Sequence, residues 1–435
     1  MPRPMIRAAL GPLGLTVLLA VGCARAAGPG ARAPQAEPGG TQGSAGSAEA
    51  RAARGFARGA RSADVPADSA SGLASGSTAE QVADPAAVLA EAEAALSADD
   101  GARAVALLGR VLQHEGALSP AQVASAWMSL ARAHEKLRDC LAAIRAYETY
   151  LSRFAEGEHV LVARARRGAC EAELERWEES ATTFHAIAEL PEQLPSVQVE
   201  ALAREGYALY MLDRLEPADA RLARADAIYE QAVAEQTERF SSYYFIGMAR
   251  FYRAAILHRK FRDVEIRLPE AVMEEGFKAK LELLIRAQDA YNHTIKAKHM
   301  FWVSAAGFQL GHLFSELYDA LMYAPVPEWL DERQREVYFE ELKTQLRPVV
   351  TKAIWVFEKN LETARRLGYD NDFIQRTEAK LGHLQAIMLS EDASLGQPNQ
   401  RLAREDDEQA VDAPAAAGDG TASDRKLFVP RPTAL

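Results

Sequence analysis

Residues Trp127–Phe154 read WMSLARAHEKLRDCLAAIRAYETYLSRF. Helix-forming residues fill both halves of this stretch, and the halves meet at Leu137-Arg138-Asp139-Cys140. The first half sets Trp127, Leu130, Ala131 and His134 along one predicted helix; the second sets Ala143, Tyr147 and Tyr150 along another. Small Ala131 and Ala143 let two helix backbones approach, while Trp127 and Tyr147 fill the space beside them. One such hairpin cannot bury its apolar face alone, so neighbours must stack on it.

Those neighbours are legible on both sides. Asp84-Pro85 supplies a cap and a first-turn proline for a helix through Val88–Leu96, with Asp99-Asp100-Gly101 as the turn and Ala102–Leu112 as the return. Ser119-Pro120-Ala121-Gln122 opens the hairpin quoted above with a capping box in register. A third hairpin carries Gly168, then Trp177, Ser180 and Phe184; a fourth carries Leu202 and Gly206, then Leu215, Ala218 and Leu222. Small residues recur at one equivalent position, Ala104, Ala143, Ser180 and Ala218, spaced by 39, 37 and 38 residues. Offsets and spacing together resemble the tetratricopeptide repeat. The resemblance implies an all-α, right-handed stack of hairpins whose inner face, lined by first helices, binds peptides or partner domains. Carried over by position, that groove would present Met128, Arg132, Glu135 and Lys136, then Ala203, Tyr207, Tyr210 and Met211. For Tyr207 and Tyr210 the competing reading is packing between repeats.

The flanks differ in composition. Met1–Gly22 has a basic start at Arg3 and Arg7 and an apolar run from Ala8 to Val21, too short and too interrupted to span a bilayer. It reads as a secretory signal. Its end, Ala20-Val21-Gly22-Cys23, resembles a bacterial lipobox, which implies cleavage before Cys23 and lipidation of its thiol. Ala24 in place of Asp favours the outer membrane, with the protein facing the periplasm. Residues 23–81 are rich in Ala, Gly, Ser, Pro and Arg and read as a disordered tether. Arg51, Arg54, Arg58 and Arg61 within it read as a solvated run or as a contact with anionic headgroups.

Residues 82–226 hold the repeats, 227–390 continue in helical periodicity, and 391–435 form a polar, acidic tail expected to be disordered. Ile228 to Phe261 reads as one long helix or a broken pair; Leu268-Pro269-Glu270 starts the next. Phe301–Tyr323 is apolar but carries Gln309, His312, Glu316 and Asp319, which makes it a buried helix rather than a span. Gly307 and Gly311, one turn apart, predict close packing. A charged helix over 331–346 and a second ending at Gly368 are expected, then a last helix with Phe373, Leu381, Leu384 and Met388. Trp302, Gly311, Tyr323-Ala324-Pro325-Val326-Pro327 and Ala364-Arg365-Arg366-Leu367-Gly368-Tyr369 resemble a helical segment of some repeat-containing envelope proteins of gliding myxobacteria.

The chain has 435 residues, is 48% hydrophobic and carries a net charge of −11, which argues against nucleic acid as a partner. Phosphate-binding glycine loops and nucleophile elbows are missing. His114-Glu115 and His134-Glu135 lack the second histidine that a zinc-protease helix requires. Neither a catalytic set, a metal site nor a cofactor is expected. Cys140 and Cys170 fall on neighbouring helices, so a disulfide and a pair of buried thiols are both open. Taken together, the sequence predicts a lipid-anchored envelope scaffold that binds other proteins or peptides through its repeats. The rival readings are an accessory subunit of an envelope machine (for gliding, secretion or outer-membrane assembly) and a cell-wall glycan-binding protein or enzyme.

Overall fold

A computed structural model of the chain describes residues 84–391, and these are entirely α-helical apart from turns and one short 3-10 segment at Glu115–Ala117. The signal, Cys23, the tether and the acidic tail lie outside the described residues. Four hairpins come first: α1 (Pro85–Ser97) with α2 (Gly101–Gln113), α3 (Pro120–Lys136) with α4 (Cys140–Arg153), α5 (Val160–Glu173) with α6 (Trp177–Ala188), and α7 (Pro195–Met211) with α8 (Leu215–Glu235). Five further helices follow: α9 (Tyr244–Asp263), α10 (Glu270–Ile295), α11 (Met300–Met322), α12 (Glu332–Leu367) and α13 (Asp372–Glu391).

The hairpin turns share one backbone solution. Asp99, Arg138, Glu175 and Asp213 all adopt the left-handed region, with φ of 63°, 58°, 58° and 64°. The amide of the next residue reaches back to the first helix in each case: Asp100 to Ala95, Asp139 to His134, Arg176 to Glu171 and Arg214 to Leu209, at 2.8–2.9 Å. This is the Schellman closure, which satisfies carbonyls that a helix end would otherwise leave bare. Asp100 and Asp139 then turn their carboxylates onto the amides of Arg103 and Ala142, each at 3.0 Å, and so cap the second helix.

Beyond the turns, each hairpin closes on a small residue. Ala104, Ala143, Ser180 and Ala218 are all buried. In the third hairpin Ser180 Oγ donates to Gly168 O at 2.9 Å, and a Cβ on Gly168 would meet Thr183 and Phe184 below 3.0 Å. Consecutive helices pack throughout, and first helices also touch one another, α1 on α3, α7 on α9, α9 on α11 and α11 on α13. One core runs from Ala169 in α5 to Leu384 in α13, without a break where the repeat pattern fades.

Two details depart from the sequence reading. The pattern from Ile228 to Phe261 is a broken pair, with Gln236 in the left-handed region as the cap of α8. The two helices expected on either side of Pro348 form one 36-residue helix, α12. Pro348 lies on the exposed face, so the Thr344 carbonyl that loses its amide partner faces water, while Leu346, Val349 and Val350 on the other face are buried. Packing on the buried side outweighs the break.

Gly307 and Gly311 behave as the spacing predicts: a Cβ would collide with Asn360 at the first and Phe357 at the second, both on α12. Gly311→Ala is therefore expected to lose about 1–3 kcal/mol in urea unfolding followed by circular dichroism. Gly109→Ala, where a Cβ meets nothing within 4 Å, should instead gain up to about 1 kcal/mol from helix propensity. A gain at Gly311 would show that α11 and α12 do not approach as described.

Candidate functional site

The row of first helices opens between α5 and α7 into a cleft of about 390 Å³. Leu161, Ala165, Ala169, Val197 and Ala201 recur four residues apart on the two helices and form its walls, and Phe184 of α6 and Phe245 of α9 complete them. Val162 at the mouth is 46% exposed although apolar. Three charged residues line the cleft: Arg166, Glu200 and Arg204.

Arg204 has little solvent of its own. Its guanidinium lies 4.8 Å from the Phe245 ring centre and 5.4 Å from that of Phe184, and its Nε donates to Glu200 at 3.0 Å. Stacking of this kind suits the planar, weakly hydrated guanidinium and would not suit lysine. Arg166 donates to Glu135 at 2.5 Å, and Glu135 also accepts from the Tyr147 hydroxyl at 2.9 Å. Burial pushes the Glu135 carboxyl up, and Arg166 pulls against that shift. The second and third hairpins are thereby joined through one carboxylate at the edge of the cleft. An apolar pocket with two fixed cations and one anion can hold a hydrophobic side chain and orient the polar groups around it.

Sequence reasoning placed the groove partly elsewhere. Arg132 and Lys136 are exposed as expected, with Lys136 paired to Asp99, and Met211 is half-buried. Met128, Glu135, Ala203, Tyr207 and Tyr210 are buried. Tyr207 lies 5.4 Å from Trp177 and 4.9 Å from Tyr252, and Tyr210 lies 5.2 Å from Tyr252, measured between ring centres. These tyrosines are inter-helix packing because α9 lies directly on α7 and covers the face they occupy. The cleft was signalled instead by the Leu161/Ala165/Ala169 and Val197/Ala201 stripes, apolar positions at four-residue spacing. Cys140 and Cys170 are free and buried, with Cys170 Sγ 4.0 Å from Glu135. Burial pushes both thiols up, which keeps them protonated and unreactive.

Two further polar clusters hold the helices together. Asp226, Glu230 and His293 offer ligand atoms within 4.8 Å of one another. Arg250 already bonds both carboxylates, at 2.7 Å on Asp226, and Arg253 reaches Asp226 at 3.4 Å. With Arg250 on one Asp226 oxygen and on Glu230, and Arg253 on the other Asp226 oxygen, this is an ion-pair junction of α8, α9 and α10. The second cluster surrounds Glu316 of α11. His258, fully buried, meets Glu316 at 2.7 Å and the Tyr291 hydroxyl at 3.1 Å, which fits a neutral ring donating from Nε2 and accepting at Nδ1. Arg262 Nε donates to Glu316 at 3.0 Å and His312 Nε2 lies 3.1 Å from it. Burial works against the Glu316 charge, but His258, His312 and Arg262 outweigh it and hold the carboxyl below the usual range.

Burial holds His312 down at about 4, with Lys380 and Arg262 adding repulsion and Glu316 opposing them. The folded state thus keeps His312 neutral where an unfolded chain would protonate it. Stability from this group is complete above about pH 6.5 and is lost as pH falls toward 4. Unfolding in urea at pH 7 and pH 4.5 should differ by about 2–3 kcal/mol more for the native chain than for His312→Phe, which keeps the stack on Phe308. An equal pH dependence in the two would place the titration elsewhere.

No protein-family model matches the chain, and no curated protein matches it. Among solved structures it is similar to a tetratricopeptide repeat protein from Parabacteroides merdae, at 13% identity and TM-score 0.33, covering 69% of this chain and 99% of that one. It is also similar to a Rap protein complexed with competence and sporulation factor, at 12% identity and TM-score 0.32, covering 71% and 76%. A TPR repeats protein from Bacteroides fragilis follows at 11% identity and TM-score 0.28, covering 61% and 98%. No residue's role is carried over from these likenesses.

Proposed function

We propose that this protein is a non-catalytic interaction scaffold that receives an apolar side chain of a partner segment in the cleft between α5 and α7. The observation that carries the reading is that cleft: apolar walls, an exposed Val162 at the mouth, and Arg204 fixed between two phenyl rings. Aromatic and arginine groups of this kind concentrate binding energy in small areas. The large buried polar clusters support a non-catalytic role, since Glu135, Asp226 and Glu316 each spend their oxygens on partners within the fold. Lipidation of Cys23 would anchor the scaffold in the bacterial cell envelope, at the outer membrane and facing the periplasm. There the partners are other envelope proteins, and no nucleic acid is involved.

A photo-crosslinking residue at position 162, at the mouth of the cleft, should trap the same one or two envelope proteins in repeated preparations. One at the exposed position 233 on α8 should not. The trapped species should disappear when Ala165→Trp fills the cleft. Equal capture from both positions, or capture that survives Ala165→Trp, would remove the cleft from the account.

A further inference from the structure

The chain carries, in its own tail, a segment whose chemistry matches the cleft; the inference rests on reading that cleft as a docking site. From Asp392 to Lys426 the sequence has no aromatic residue and only isolated large apolar ones, Leu395, Leu402 and Val411. Leu427-Phe428-Val429 then follow in a run, and Pro430-Arg431-Pro432 close it. We propose that residues 424–432 of this same chain occupy the α5–α7 cleft, and that a partner gains the site by displacing them.

Two properties support this occupant. The run offers one aromatic and two branched side chains to apolar walls that include Phe184 and Phe245. The two prolines restrict the segment to extended conformations, which lowers the entropy lost on docking.

Reach is sufficient. The start of α13 lies near the cleft, and the helix carries the chain about 30 Å further along its axis to Glu391, where the described residues end. Phe373 is 5.9 Å from Phe301, and Phe301 is 6.2 Å from Tyr244, the neighbour of Phe245. Residues 392–423, which link Glu391 to the segment, are long enough to reach at most about 105 Å. A tether of that kind sets a local concentration on the order of millimolar. Micromolar intrinsic affinity then keeps the cleft mostly filled, and a partner must compete.

The test uses the full chain and a fluorescein-labelled peptide of residues 422–433, read by fluorescence anisotropy. Phe428→Asp, which disables the tethered segment, should bind the peptide with micromolar Kd. The native chain should bind it at least tenfold more weakly, because its own tail is in place. Phe428→Asp combined with Ala165→Trp should not bind, and neither should Phe428→Asp combined with Val162→Asp, a change at an exposed site that leaves the core intact. Equal binding by the native chain and Phe428→Asp would overturn occupancy by the tail. Binding that survives both cleft substitutions would overturn the location. No binding to any variant would overturn the segment as occupant, while envelope partners trapped from position 162 would leave the docking site itself standing.

Discussion

Everything in this fold depends on how closely the two helices of a hairpin approach. At Ala104, Ala143, Ser180 and Ala218 the second helix presents almost no side chain, so the two backbones meet and larger neighbours close around them. The left-handed residue at each turn sets the direction of the return, and the following amide locks it to the first helix. Four repetitions of this geometry, 37 to 39 residues apart, make the structure modular: each hairpin is incomplete alone and is finished by the next.

The cleft is a consequence of that modularity. Where neighbouring first helices carry bulky residues toward each other, as Tyr207 and Tyr210 of α7 do toward Tyr252 of α9, the row closes into core. Between α5 and α7 the facing positions include Ala165, Ala169 and Ala201, too small to fill the gap, and a space of about 390 Å³ results. Arg166 and Arg204 are held at this opening by Glu135, by Glu200 and by two phenyl rings, so the charges are positioned before any partner arrives. Preorganisation of that kind reduces what binding must spend on ordering side chains.

Much of the fold was readable because its signals are local. Caps at Asp84 and Ser119, the recurring small residue, and Gly307 with Gly311 are choices that the backbone geometry dictates, and each falls in the structure where the sequence put it. Features decided by distant packing were not readable. Pro348 reads locally as a break, yet α12 continues because its buried face on α11 holds both halves together. Tyr207 and Tyr210 occupy groove positions by sequence offset, but α9 covers them, and nothing within α7 announces that. His258 and Glu316 are 58 residues apart, and their contact needs three helices to be in place first. The cleft lies between these cases: its alanine stripes are local, while the absence of anything to fill the gap is a property of the assembled row.

If hairpin contacts are the basis of the structure, damage to one should stay near it. Ser180→Leu would force α5 and α6 apart at the point where Ser180 meets Gly168, and α6 supplies Phe184 to the cleft. Hydrogen–deuterium exchange read by mass spectrometry would follow the effect helix by helix. The account predicts faster exchange in α5, α6 and the facing turns of α7, with α1, α2 and α11 to α13 unchanged. A uniform rise across every helix would contradict it, as would no change around Ser180.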